Sequence, residues 1–389
     1  MKQTSRIIST YSADVFGVCS ALFELGGMII MHDASGCNST YTTHDEPRWY
    51  DMESMVYISG LSEMEAIMGD DEKLIGDIVD AAKALHPRFI AVAGTPIPTM
   101  TGFDFEAVAA LIEERTGIPA FGFNTTGMKT YVHGASMALE AVARRFADRD
   151  VQKTPDLTAN ILGLTPLDFS VAGTEDSVTD FLEASGFRVL SRWAMGSSLE
   201  DLAQAGSAHV NLVVSSTGLG AAKALQERFG TPYVVGLPIG GTQKEHLREA
   251  LHTAASTGEN QYPVSDLSGE DILIIGEAVT SLALASALEH SAGQGVRVLC
   301  PTEGSEGLLR SGDLRAQYEE EIEEAMTEAK TVIADPLYRP ICPDYVKFVE
   351  LPTEAFSGRI YREQIPNLVT GFEKFAKEVF LTRSVPSSS

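Results

Sequence analysis

Cysteine is scarce in this chain: there are four in 389 residues, Cys19, Cys37, Cys300 and Cys342, and no C-x-x-C pair. That scarcity excludes a disulfide framework and a self-contained zinc or ferredoxin site. Any cluster must draw ligands from distant parts of the chain or from another molecule. Positive charge is scarce too. Against 54 acidic residues stand 29 lysines and arginines, a formal charge of -25, which disfavours nucleic-acid phosphates and anionic membrane surfaces and leaves basic protein partners open. The acid is spread along the chain, as solubility requires. Long apolar runs are missing. The most apolar helical stretch, Leu273 to Leu288, is interrupted by Gly276, Glu277, Thr280 and Ser281 and falls short of the roughly 20 residues that span a bilayer. The opening MKQTSRIISTYSADV has no apolar core followed by a small-residue cleavage site. It does not read as a secretory signal, and the expected location is cytoplasmic. There is no G-x-x-x-x-G-K-[ST] phosphate loop, so if ATP drives this protein another chain hydrolyses it.

What is present is a repeated alternation of short apolar runs, Gly/Ser/Thr/Pro turns and segments of helical spacing, which predicts strands and helices in βα order. With 44% hydrophobic residues the chain has enough apolar material for two or three domains of roughly 100–150 residues. In the first third, helix Val15 to Leu25 precedes Gly26-Gly27, strand Met28 to Met31 and the turn His32 to Cys37; helices follow over Asp71 to Leu85 and Phe105 to Thr116, with strands at RFIAVA and Pro119 to Phe123. A polar linker, Asp148 to Ala159, leads to strands Asn160 to Leu164, Phe187 to Leu190, Val210 to Val214 and Tyr233 to Val235. A second polar stretch, Ser256 to Glu270, leads to strands Ile272 to Ile275, Val296 to Leu299 and Thr331 to Ala334, with helices near Val279 to Leu288 and Leu314 to Lys330 and a helical tail from Phe372. Short doubly buried strands with helical crossovers predict an α/β fold of three tandem Rossmann-like domains with parallel sheets, divided as 1–150, 151–262 and 263–389. Ligands in such sheets sit beyond the carboxyl ends of the strands. The candidate turns are therefore His32 to Cys37, Gly94 to Thr101, Asn124 to Gly127, Ser215 to Gly220, Pro238 to Gly241, Gly276 to Thr280, Cys300 to Gly304 and Asp335 to Pro343.

Among these turns, Gly36-Cys37 suits a metal ligand best, since a thiolate at a strand end projects into a crevice while the strand behind it stays rigid. A buried structural thiol is the competing reading. Cys19, among Val15, Phe16, Leu22 and Phe23, reads as a packing residue, as do Cys300 and Cys342. His32 and His44 flank Cys37 and suit hydrogen bonding to a cluster or proton delivery, or simply a satisfied turn. Glu63 and Glu65 read as charge at a helix start. The Gly/Thr turns at Gly94 to Pro96, Thr125 to Gly127 and Ser215 to Gly220 are weak anion cradles.

The order of Gly36-Cys37 after a His-containing strand end, then SEMEAIMGDDEKL, FIAVAGTPIPTMTGFD and TTGMKTYVHG, resembles the nitrogenase component 1 superfamily, which includes nitrogenase molybdenum-iron protein and light-independent protochlorophyllide reductase subunits. NILGL, SSLEDLAQAGSAHVNLVVS and FGTPYVVGLPIGGTQ extend the likeness through the middle of the chain. The resemblance implies three Rossmann-like domains per subunit, a dimer with a homologous subunit, an interfacial iron–sulfur cluster and a separate ATP-dependent iron protein reductase that supplies electrons. It also implies three cysteine ligands from the first domain. Carried onto this sequence, they fall at Cys37, near Ser12 and near Pro96, so two of the three are not cysteine. Serine offers a hydroxyl oxygen and proline offers nothing. Cys19 lies two turns beyond Ser12 on one helix face, roughly 10 Å along the axis, too far to substitute directly. The expected function is a subunit of a nitrogenase-like reductase that relays low-potential electrons from the iron protein through a shared iron–sulfur cluster to a cofactor or substrate. Cys37, Gly36, Cys19 and Ser12 are its candidate cofactor residues and Cys37 its metal ligand. The competing expectation is a non-catalytic scaffold or carrier for a metallocofactor or tetrapyrrole.

Overall fold

Runs of three to six mostly apolar residues form the central strands, and their burial on both faces fixes the helices above and below them. The structure is a computed structural model that describes residues 12–34, 36, 38, 45–148, 150–265 and 269–381. In the first unit the order is α1 (Asp14–Leu22), β1 (Met28–Met31), β2 (Met55–Ile58), α2 (Glu63–Met68), α3 (Asp71–Leu85), β3 (Ile90–Ala93), α4 (Pro96–Thr101), α5 (Phe105–Thr116), β4 (Ala120–Phe123) and α6 (Tyr131–Phe146). The second comprises β5 (Thr158–Leu162), α7 (Pro166–Phe169), α8 (Thr174–Ala184), β6 (Arg188–Trp193), α9 (Leu199–Ala203), β7 (Val210–Val213), α10 (Leu219–Phe229), β8 (Tyr233–Val235) and α11 (Gly241–Thr257). The third comprises β9 (Ile272–Ile275), α12 (Ala278–Ala292), β10 (Val296–Cys300), β11 (Leu314–Arg315), α13 (Glu319–Glu328), β12 (Thr331–Ala334), β13 (Lys347–Glu350), α14 (Glu354–Ser357) and α15 (Leu368–Phe380).

The strand orders are β2-β1-β3-β4, β6-β5-β7-β8 and β11-β10-β9-β12-β13. Every pairing within them is parallel, so the expected α/β architecture with parallel sheets is the one found. The carboxyl ends of β5, β7, β9 and β12 are brought together by contacts between the second and third sheets, and α6 delivers its first residue, Tyr131, to the same place. The apolar cores are shared between units. Leu247 and Leu251 of α11 pack in one cluster with Leu282 and Leu288 of α12 and with Phe372 and Phe375 of α15, while α1 and α6 join Leu202 and Leu225 of the second unit in another.

Helix α1 crosses α6 at close range. Added Cβ atoms on Gly17 and Gly134 would fall inside the backbones of Tyr131 and Asp14 respectively; only glycine permits this approach. Several elements differ from the sequence expectation. The first helix runs Asp14–Leu22 rather than from Val15 to Leu25, since Gly26 needs a positive φ of 73° for the turn into β1. The helix expected over Leu314 to Lys330 is two elements: Leu314–Arg315 is a short strand on β10, and the helix starts only at Glu319, where Glu319, Glu320 and Glu321 complement its amino-terminal dipole. The tail helix starts earlier than Phe372, at Leu368, because Asn367 accepts from the amides of Val369 and Thr370.

Candidate functional site

At the carboxyl end of β1 the chain is tied down by Asp33. Its carboxylate accepts from Asn38 Nδ2 at 2.6 Å and Thr95 Oγ1 at 3.2 Å, and Thr95 Oγ1 also donates to the His32 carbonyl at 2.8 Å. Leu61 N donates to the Asp33 carbonyl at 2.7 Å, so the turn is pinned to the segments that follow β2 and β3. Cys37 and His44 lie outside the described residues; Gly36 and Asn38, on either side of Cys37, lie inside them, and Asn38 is buried.

The other sequence candidates do not gather around that turn. Ser12 belongs to a different contact: its Oγ donates to the Ala355 carbonyl at 2.9 Å, and its amide does the same. Cys19 is wholly buried in α1. Burial, reinforced by the charge of Glu46, pushes its thiol well above the ordinary range. Pro96 opens α4 as its first residue, a place that suits a ring without an amide proton. His32 is 5% exposed, shares a hydrogen bond between Nδ1 and Ser59 Oγ at 2.9 Å and stacks on Phe103 at 4.5 Å. Burial holds its pKa down at about 4, so at neutral pH the imidazole is uncharged, and its hydrogen bond to Ser59 fits a satisfied turn. Glu65 completes a capping box with Ser62, which confirms the helix-start reading. Cys300 is buried beside Thr302, its thiol pushed up to about 11 by burial, and Cys342 is half-buried.

Where the three units meet, a small cavity of about 30 Å³ is lined by Tyr131, Asp168, Glu277, Ser281, Asp335 and Thr353, among others. The Tyr131 hydroxyl donates to Asp168, whose other oxygen accepts from Thr165 Oγ1 at 2.8 Å and Ser215 Oγ at 2.7 Å. Burial raises the Asp168 carboxyl to about pH 7, and the Glu277 charge adds to the rise; the Tyr131 phenol is raised by burial and by Asp168. Asp335 accepts from the amides of Leu337 and Thr353 and from Ser357 Oγ, all within 3.0 Å. Glu277 and Asp335 stand directly behind strand ends, inside the candidate turns Gly276 to Thr280 and Asp335 to Pro343, while Asp168, the third residue of α7, lies outside every turn the sequence marks.

Two of the expected anion cradles are filled from within. The amides of Thr126 and Gly127 donate to Asp14 at 2.9 and 2.8 Å. The amide and hydroxyl of Ser216 donate to Glu277 at 2.9 and 2.5 Å. A free phosphate finds these donors already engaged. The cavity offers oxygen donors and no thiolate, and among the described residues no three His, Cys, Asp or Glu side chains converge on a metal position. An iron–sulfur group, which takes thiolate ligands, does not fit the described residues: Ser12 is engaged, Pro96 has no donor, and Cys19 is enclosed in its helix.

By contrast, the surface around the end of the first sheet carries exposed apolar side chains among exposed Glu63, Asp70 and Lys129. Met64, Ile67 and Met68 of α2 are 68–73% exposed, Met100 of α4 is 86% exposed and Met128 is 82% exposed; α2 buries no residue at all. Among the described residues no helix is long and apolar enough to cross a membrane.

The sequence model of a family described as nitrogenase component 1 type oxidoreductase matches residues 14–336. The nitrogenase iron-molybdenum cofactor biosynthesis protein NifE of Rippkaea orientalis is 26% identical over 289 residues, covering 71% of this chain and 57% of that protein. The protein of the same name from Clostridium pasteurianum is 28% identical over 180 residues, covering 46% and 38%. The nitrogenase molybdenum-iron protein alpha chain of Methanosarcina barkeri is 23% identical over 192 residues, 47% of this chain and 35% of that one. The chain thus spans about half the length, or less, of these curated relatives. A solved chain described as nitrogenase Cp1 at pH 6.5 superposes with a TM-score of 0.72 at 16% identity, over 97% of this chain and 94% of that one, a likeness of fold.

Proposed function

The chain belongs to the nitrogenase component 1 type oxidoreductase family, and from that premise we propose that it is the ligand-poor member of a paired, nitrogenase-like assembly. In this reading Cys37 is its share of an iron–sulfur group completed by a homologous subunit. An ATP-dependent iron protein supplies low-potential electrons to the pair, and the chain's three units divide near residues 150 and 262. One observation carries the proposal: the exposed Met64, Ile67, Met68, Met100 and Met128 lie on elements that follow β2, β3 and β4, around the end of β1 where Gly36 and Asn38 flank Cys37. Exposed methionines in such number mark a surface that another protein covers. Ser12 and Pro96 carry no thiol and Cys19 is enclosed in α1, so in this reading the missing ligands come from that partner.

The chain's own part is structural. It holds the turn with Asp33, Asn38 and Thr95, and it presents an apolar surface that excludes water once covered. A second reading, a scaffold on which a metallocofactor is assembled, is favoured by the relatives named as cofactor biosynthesis proteins. A carrier of a tetrapyrrole would use a larger cleft of about 400 Å³, lined by Ser12, Phe16, Leu167, Phe356 and Arg359 among others, within the roughly 300–1,000 Å³ of ordinary ligand pockets.

Anaerobic co-purification with a homologous subunit that carries the three-cysteine pattern tests the proposal. Iron and sulfide are expected in the pair, none in the chain alone, and Cys37→Ala is expected to remove them from the pair. Iron content unchanged by Cys37→Ala would refute the ligand assignment. Turnover with the iron protein and ATP then separates reductase from scaffold.

A further inference from the structure

An open cleft of about 790 Å³ lies at the amino ends of β1 and β2, the opposite end of the first sheet from the Asp33 turn. Phe23, Trp49, Tyr50 and Met52 supply apolar walls, Asp51 and Glu53 supply charge, and Gly26-Gly27 keep one side clear of side chains. The loop carrying the aromatics is held from beneath. Buried Arg48 donates to Glu24 at 2.8 Å, to Glu46 at 2.7 Å and to the carbonyls of Ser20 and Ala194 at 2.9 and 3.1 Å, and the amides of Asp51 and Met52 return to the Arg48 carbonyl at 3.0 Å. Folding fixes this loop yet leaves its outer side uncovered: Tyr50 is 77% exposed and Met52 41%. The charge is unbalanced as well. No described lysine, arginine or histidine lines the cleft. The neighbouring arginines are already paired, Arg48 with Glu24 and Glu46, and Arg88, beside Gly26, with Glu200, whereas Asp51 and Glu53 are exposed and in no ion pair among the described residues. The aromatic cluster takes one cation internally, since the Arg48 guanidinium lies over the Phe23 ring at 4.8 Å.

We propose that this cleft docks a basic segment of a partner protein, whose arginine side chains lie on Trp49 and Tyr50 and pair with Asp51 and Glu53. Arginine suits both contacts, because its planar guanidinium stacks on aromatic faces and matches a carboxylate with two parallel hydrogen bonds. Neither contact is strong alone at an exposed site; their coincidence in one cleft selects the ligand. The volume lies within the roughly 300–1,000 Å³ of ordinary ligand pockets and accommodates several consecutive residues rather than one side chain. A second copy of this chain is the wrong occupant, since each copy brings a formal charge of -25 and like charges repel. Because the cleft lies at the amino ends of the strands and the exposed methionines lie around the carboxyl ends, this partner is additional to the one that covers the Cys37 turn.

The experiment titrates the full chain into a short labelled peptide of alternating arginine and serine, read by fluorescence anisotropy at an ionic strength of about 0.15 M, where long-range attraction is screened. A citrulline counterpart keeps the shape and removes the charge. Saturable binding of the arginine peptide alone is expected, with a change in tryptophan emission that is absent in Trp49→Phe; the other tryptophan, Trp193, is wholly buried. Asp51→Asn combined with Glu53→Gln is expected to weaken binding about tenfold and Tyr50→Ala about fivefold. Glu320→Gln combined with Glu324→Gln, which removes two exposed acids from α13, is expected to weaken it less than about twofold. No saturable binding, equal binding of the citrulline peptide, or an equal loss in the α13 variant overturns the proposal. So does displacement of the peptide by spermine at matching concentration, which assigns the cleft to a small polycation, or a dimer in sedimentation velocity that Tyr50→Ala dissolves, which assigns it to a second copy.

Discussion

The end of the first sheet and the cavity between the units occupy equivalent positions, both beyond the carboxyl ends of parallel strands, yet they have been finished in opposite ways. The first is apolar outside and tied inside by Asp33, Asn38 and Thr95, with exposed methionines spread over its rim. The second is closed, with every carboxylate engaged by hydroxyls and amides and almost no room left. Strand ends thus supply positions, and side-chain chemistry decides whether a position stays open at the surface or is closed by its own hydrogen bonds.

The contrast can be broken most severely at the crossing of α1 and α6, which carries Ser12 and Tyr131 and joins the two regions. Gly134→Val drives a side chain into the Asp14 backbone, and a loss of about 4 kcal/mol, or failure to fold, is expected. Urea unfolding reads this directly; a change below about 1 kcal/mol would mean that the two helices re-space freely. A smaller effect sharpens the cavity side. The Asp168 carboxyl, ordinarily near 3.8, sits at about 7 in the fold, so between those values the folded chain holds a proton that the unfolded chain has released. Its stabilising contribution is complete below the unfolded value and is lost as pH rises through the folded one, with a slope of about 1.4 kcal/mol per pH unit for the one proton. Asp168→Asn is expected to remove that slope from unfolding midpoints measured across the window, and an unchanged slope would move the buried proton to another group. The smallest effect is at Cys19. Cys19→Ala is expected to cost about 1 kcal/mol from lost packing and to leave the iron content of the paired complex as it was; a fall in iron would return Cys19 to the ligand set.

Much of the fold was legible because doubly buried strands read as uninterrupted apolar runs: β8, β9 and β12 begin and end where expected, as do α3 and α5. The elements that escaped lack that contrast. β2 and β13 are edge strands, MVYI and KFVE, with partly exposed residues, and α6 carries Gly134 in its interior, which weakens a helical signal while serving the packing against α1. The candidate site was legible only in part. A thiol after a buried strand announces a ligand, whereas Asp168, Glu277 and Asp335 acquire meaning only when three distant turns meet. Nor does spacing reveal that Ser12 would be claimed by Ala355, a contact across nearly the whole sequence.

The filled cradles have a consequence for inhibition. Asp14 and Glu277 are carboxylates on a tether, each held beside the amides it binds. A tethered group acts at an effective concentration in the millimolar range or above, so a dissolved anion of similar chemistry competes against an occupant that never diffuses away. Phosphate or a nucleotide at micromolar levels should leave these turns untouched, and the chain carries its own competitive inhibitor at the places where its fold would otherwise attract such ligands.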